Sequence, residues 1–150
     1  MSDKEKEEFI LSFDAENKES VLGVCVLGGA FSEGIDLKDD RLIGVIVIGV
    51  GMPKLCFELD KTSEYYDSIG YKGKDYAYIN PGMNKVAQAV GRVIRSETDR
   101  GVVLLIDERY TLATYNDLFR KEWSTYKVVF NENDVKEIVD KFFQINERQN

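Results

Sequence analysis

Apolar residues gather in three solid runs, Val21 to Leu27, Leu42 to Ile48 and Val102 to Ile106, with a shorter one at Tyr126 to Phe130. Runs of this length, rich in β-branched residues, predict strands buried on both faces. Gly28-Gly29 ends the first, and Gly49, Gly51 and Pro53 stop the second. Between the runs the spacing turns helical. Residues 3–14 place Phe9, Ile10 and Phe13 on one side, and residues 55–69 do the same with Leu55, Leu59, Tyr65 or Tyr66 and Ile69. GYKGKD, residues 70–75, predicts a flexible basic loop. Asn80 and Pro81 predict a helix start, as N-cap and first-turn proline, and that helix runs to about Arg95. Ser96 to Gly101 is a turn, and residues 110–123 are irregular with a short helix near Tyr115 to Phe119. Asn131 or Asn133 caps a last helix, on which Val135, Ile138, Val139, Phe142 and Ile145 share a face. Strands alternating with helices predict an α/β fold, a parallel sheet flanked by helices on both faces. Ligands of such sheets bind beyond the carboxyl ends of the strands.

The helix across Asn84–Arg95 carries the chemistry. At about 100° per residue, Lys85, Gln88, Arg92 and Arg95 fall within an arc of roughly 80°, and Met83, Ala87, Val90 and Ile94 within roughly 60°. The helix would bury one side and present three cations and an amide on the other. An ordinary solvated surface accounts for such a stripe equally well. Functionally, arginine offers a fixed fork of donors that suits phosphate and can reach charge developing on a transferring phosphoryl group.

Composition narrows the choices. The 150 residues suffice for one domain with a real core, and 43% hydrophobic with 31% charged residues describes a globular protein. The longest apolar run, Leu42 to Val50, is far short of the ~20 residues of a membrane helix. The N-terminus is charged and lacks the apolar core of a signal peptide, so the cytoplasm is the expected compartment and no membrane partner is expected. Two cysteines and no histidine leave no metal site in view. The net charge of −7 argues against a general nucleic-acid coat. Residues 72–100, however, hold six cations against three acids, so an anionic ligand belongs at the central third.

Two further segments invite chemical readings. GGAFSEGIDL offers backbone amides and two carboxylates, Glu33 and Asp36, but neither G-x-G-x-x-G nor G-x-x-x-x-G-K-[ST] is present. Read by itself it is a tight strand-to-loop turn. VVLLIDE copies the strand-then-acid pattern that holds Mg²⁺ in P-loop enzymes. Without a P-loop, a structural pairing of the strand-end carboxylate with Arg109 or Arg100 is the better expectation.

In combination these pieces resemble a known family. GGAFSEGIDL, a buried strand, Q-A-V-G-R-V-I-R (Gln88–Arg95) and SETDRGVVLLIDER, in this order and spacing, are similar to the C-terminal half of a superfamily-two helicase of the DinG and xeroderma-pigmentosum-D type. The first block resembles motif V and the second motif VI, Q-x-x-G-R-x-x-R. The likeness covers residues 21–123. It implies a second RecA-like domain, spanning residues 1–150, with ATP bound in the cleft against the N-terminal RecA-like domain of the same protein. By this resemblance Arg95 is the arginine finger, Arg92 a second γ-phosphate contact, and Gln88 couples nucleotide to the interdomain surface. Gly34, Asp36 and Glu33 lie by the nucleotide, and Ser32, with Glu33, lies where the motif meets the DNA strand. Members translocate on single-stranded DNA, and many carry an iron–sulfur cluster in the first domain; none is expected here. The P-loop and the Mg²⁺-binding acids are absent from these residues, as is the strand that opens the second domain. The expectation is therefore a piece of a longer ATP-dependent DNA helicase, with ATP and Mg²⁺ held mainly by the other domain. Single-stranded DNA is expected at Lys72, Lys74 and Lys85, with steep salt dependence.

Two other readings remain open. One is a non-catalytic RecA-like module that binds DNA or a protein. The other is a small independent NTPase built on VVLLIDE.

Overall fold

The computed structural model describes residues 2–14, 16–17, 19–29, 42–94 and 99–147. The chain divides into two compact units, Met1–Leu118 and Phe119–Asn150.

The first unit opens with α1 (Asp3–Leu11). Ser2 and Glu5 form a reciprocal cap: the Ser2 hydroxyl accepts from the Glu5 amide, and the Glu5 carboxylate accepts from the Ser2 amide. Phe9 and Phe13 meet edge to face at 5.4 Å, and Gly23 lies directly on them. A Cβ at Gly23 would come within 2.6 Å of both rings, so a larger residue there would have to push the ring tips aside.

The sheet has two strands among the described residues, β1 (Gly44–Ile48) and β2 (Val102–Ile106), paired in parallel from Gly44↔Val102 to Ile48↔Ile106. This parallel pair and its helices form part of a RecA-like arrangement. Two expected strands do not form. Residues 21–27 join no ladder, and Leu22, Val24 and Val26 are 79–86% exposed. Residues 126–130 are likewise irregular, with Phe130 exposed. Apolar, β-branched composition favours a strand only where a neighbour supplies hydrogen-bond partners. Among the described residues, Val47 is buried beneath the crossover, whereas Ile46, Ile48 and Ile106 are exposed.

That crossover holds most of the buried apolar residues among those described. It contains α2 (Phe57–Ser68), a π-helical turn (Asp75–Ile79) and α3 (Asn80–Val90). Leu59 and Tyr66 of α2 are half-buried as expected, but Leu55, Tyr65 and Ile69 are exposed. The end of α2 is a Schellman motif: the Tyr71 amide reaches the Tyr66 carbonyl and the Gly70 amide the Asp67 carbonyl, with Gly70 at φ +89°. The expected flexible loop is thus three residues of defined turn, because the backbone is helical again from residue 73. Nor does Asn80 cap a helix. Its backbone is helical (φ −60°, ψ −46°), and the helix enters α3 through the π turn. Pro81 explains this turn: it lacks an N–H and its ring crowds the carbonyl four residues back, and a widened turn relieves both.

α3 buries Met83, Val86 and Val90, with Val93 just beyond it, and Val86 is fully inaccessible. Ala87 is half-buried and Ile94 is 48% exposed, so the inward face is centred nearer Val86 than the periodicity predicts. The helix closes at Gly91, followed by tight bonds from Arg92 to Ala89 and from Val93 to Val90 that rotate Ile94 out of register. After β2 come a 3₁₀ turn (Glu108–Thr111) and the short α4 (Ala113–Asn116), close to the expected irregular stretch.

The second unit holds a 3₁₀ turn (Lys121–Trp123) and α5 (Glu132–Glu147). The rings of Trp123 and Tyr126 each meet Phe119 at 5.4 Å. Asn131 starts α5 as expected: its side-chain oxygen accepts from the Asp134 amide at 3.0 Å, and the Asp134 carboxylate accepts from the Asn131 side chain at 2.9 Å.

Candidate functional site

Four of the expected site residues, Ser32, Glu33, Gly34 and Asp36, lie outside the described residues, as does Arg95. β1 ends at Gly49, whose φ of +85° needs glycine, and the chain then passes through Gly51 beside α3. A Cβ at Gly51 would lie 2.8 Å from the Leu27 Cδ2, 3.2 Å from the Lys85 Cβ and 3.4 Å from the Gly82 carbonyl. A Cβ at Gly82 would press on the Met52 backbone at 3.2 Å. Two glycines therefore let the strand exit, the helix and the 27–29 segment converge at the carboxyl end of β1.

Lys85 completes this junction. Its methylene stem runs along Gly28, and a Cβ there would sit 3.1 Å from Lys85 Cδ and 3.4 Å from Nζ. Gly28, at φ +80°, is the first residue of the glycine-rich block. The entrance of the glycine-rich block and the basic helix are thus in contact. Along the same helix Gln88 is exposed, and Arg92, one turn on, is half-buried with interactions of its own. Lys72 and Lys74 are exposed at the start of the crossover's second half, away from Lys85 in sequence and on a different turn. The roles of Gly51 and Gly82 carry no signal in the sequence, since close backbone approach is a tertiary fact.

The second polar centre lies past β2. Asp107 accepts from Arg109 through two parallel bonds, Nε to Oδ1 at 2.8 Å and Nη2 to Oδ2 at 2.7 Å, and from the Arg109 amide at 2.9 Å. The Arg109 fork holds the Asp107 carboxyl below its ordinary range, and Asp107 in turn raises the already high pKa of Arg109. Both carboxylate oxygens are engaged, so Asp107 acts as a strand-end brace, the structural pairing expected for it. Nearby, the Tyr110 hydroxyl donates to the Gly49 carbonyl at 2.7 Å, tying the exit of β1 to the turn after β2. Burial pushes the Tyr110 hydroxyl up to about 12. Among the described residues no cluster of three histidine, cysteine or acidic side chains could hold a metal, and no helix is long and apolar enough to cross a membrane.

Residues 1–126 match the family described as the helicase C-terminal domain. The chain belongs to that family. This helicase C-terminal domain is 36% identical over 97 residues to the ATP-dependent DNA helicase chl-1 of Caenorhabditis elegans, a match covering 64% of the chain and 12% of the relative. It is 39% identical over 83 residues to the ATP-dependent DNA helicase DinG of Photobacterium profundum, covering 54% and 12%. The regulator of telomere elongation helicase 1 homolog of Caenorhabditis briggsae is 36% identical over 104 residues, covering 63% and 10%. The chain spans about an eighth of the length of the curated relatives it matches. The matched region contains the whole first unit, including the Lys85–Gly28 junction and the brace at Asp107.

Proposed function

We propose that this domain is the second RecA-like half of an ATP-dependent DNA helicase and supplies one wall of its ATP site. The observation that carries the reading is the contact of Lys85 on α3 with Gly28, which draws the helix bearing Gln88 and Arg92 to the entrance of the glycine-rich block. In this reading Arg95 is the arginine finger and Arg92 a second γ-phosphate ligand. Gln88 relays the nucleotide state to the domain surface. Gly34, Asp36 and Glu33 border the nucleotide, and Ser32 faces the DNA strand. The opposite wall, with the phosphate-cradling loop and the acids that hold Mg²⁺, belongs to an N-terminal RecA-like domain of a longer protein.

The mechanism follows from dividing the site. An arginine finger contributes about 10³ to 10⁵ in rate, roughly 4–7 kcal/mol, and only where it meets the phosphoryl group as charge develops. Closure of the two domains on ATP brings Arg95 to that position. Hydrolysis removes the γ-phosphate and releases the closure. A segment that touches both ATP and DNA converts each cycle into a step along single-stranded DNA, which the lysines at 72, 74 and 85 help hold.

The test is Arg95→Ala in the longer protein. Nucleotide affinity should stay within a few-fold while DNA-stimulated ATP turnover falls by about 10³ or more. Turnover within tenfold of the parent removes Arg95 from the role. A parent protein with no DNA-stimulated turnover at all favours a non-catalytic RecA-like module.

A further inference from the structure

Four tyrosines cluster at the junction of α2 with the π turn. Tyr66 and Tyr76 stack with ring centres 4.5 Å apart and planes 17° from parallel. Tyr71 meets Tyr76 edge to face at 5.2 Å and Tyr66 at 6.2 Å, and Tyr65 meets Tyr66 at 5.6 Å. The cluster is not core: Tyr65, Tyr71 and Tyr76 are 60%, 54% and 41% exposed. Hydrogen bonds fix the turns that carry it. The Schellman turn fixes Tyr71, and the Gly73 amide donates to Asp67 at 2.8 Å. Two residues past Tyr76, the Tyr78 hydroxyl donates to Asp60 at 2.6 Å.

The charges around it are unequal in their engagement. Between residues 60 and 76 there are four acids, and three are occupied: Asp60 by Tyr78, Glu64 by Lys61 and Asp67 by Gly73. Lys72 directly follows Tyr71, and Lys74 stands two residues before Tyr76. Both are exposed, and no ion pair among the described residues involves either. Exposed rings fixed beside free cations match the two halves of a nucleotide, a base to stack and a phosphate to neutralise. A protein hot spot would favour the same rings but not lysines, which are depleted in interface centres.

The geometry points to a stacking platform for unpaired bases of single-stranded DNA, formed by Tyr65, Tyr71 and Tyr76 with Lys72 and Lys74 on the strand's phosphates. The inference rests on the DNA-helicase reading for its choice of nucleic acid and for the two lysines, and adds the ring surface, which that reading does not contain. A duplex presents its bases already stacked, so the platform selects single strands.

The experiment is a fluorescence-anisotropy titration of the 150-residue chain with labelled oligothymidine at several salt concentrations. Tyr71→Ala and Tyr76→Ala should each weaken binding about 5- to 100-fold, the range of one base stack. Tyr71→Phe and Tyr76→Phe keep the ring and should stay within about twofold, which separates stacking from loss of folding. Lys72→Gln with Lys74→Gln should lower the salt slope by about 1.4, at ~0.7 per lysine. Equal binding by the alanine variants overturns the platform while leaving the helicase reading intact, since that reading is judged by Arg95→Ala turnover. Absence of oligothymidine binding by the parent chain also overturns it. So does a concentration-dependent dimer abolished by Tyr71→Ala, which would make the patch a contact between copies.

Discussion

Three stretches of this chain are nearly interchangeable in composition, and they meet different fates. Gly44–Ile48 and Val102–Ile106 pair as parallel strands, whereas residues 21–27, equally apolar and β-branched, run unpaired with Leu22, Val24 and Val26 turned to solvent. The difference is not local propensity. β1 and β2 are joined by a crossover whose helices lie on Val47, and their ends are locked together by Tyr110. Among the described residues, 21–27 are anchored by Gly23 on the Phe9 and Phe13 rings and by Leu27 against Gly51. An apolar run becomes a strand when backbone partners and a covered face arrive together, and here that happened once.

The comparison is most easily broken at the crossover. Gly73 passes so close to α2 that a Cβ would lie 1.9 Å from the Ser63 carbonyl oxygen. Gly73→Ala must displace backbone and should cost more than about 3 kcal/mol, beyond ordinary overpacking. Gly70→Ala, at φ +89° with open space around it, should cost only about 1 kcal/mol from the left-handed backbone. Urea unfolding of both variants decides this. Equal, small losses would mean that the crossover is not what organises the unit.

A smaller effect should separate core from unpaired run. Val86→Ala removes two methyl groups from a fully buried site and should cost about 1.5–3 kcal/mol. Val24→Ala, at an 86% exposed position, should change stability by less than about 0.5 kcal/mol. A Val24 loss as large as that of Val86 would show that residues 21–27 are packed in solution.

The smallest effect concerns the clamp on the strand ends. Burial raises the Tyr110 hydroxyl to about 12 in the folded chain, above its ordinary value of 10.0. Its contribution is therefore complete below about pH 10 and is lost as the pH climbs toward 12, because the unfolded chain ionises first. Tyr78, raised chiefly by its hydrogen bond to Asp60, adds to the same alkaline loss. Tyr110→Phe should lower stability at neutral pH by about 1 kcal/mol and flatten part of the alkaline limb. An alkaline limb unaltered by that change would show that Tyr110 is no clamp.

The candidate site was legible to an unequal degree. The helix at 80–90, its buried Met83 and Val90 and the pairing of Asp107 with Arg109 could be read from spacing and charge, since each depends on neighbours in sequence. Most of the missing signals were long-range. Nothing in the local pattern indicates that Gly51 must admit both Leu27 and Lys85, or that Gly28 rests on a lysine 57 positions later. The π turn before Pro81 was masked by an Asn-Pro pair that looks like a helix start.

From sequence alone came the α/β alternation, the helicase resemblance carried by Gln88–Arg95 and the glycine-rich block, and the place of the cations. Periodicity and motif spacing are properties of a one-dimensional string, so they survive without coordinates. Only the folded chain decided which apolar runs would pair, and that the tyrosines of α2 and the π turn would gather in one exposed cluster. Those outcomes turn on backbone hydrogen-bond partners and on volumes shared between segments far apart in the chain, and no single segment contains that information.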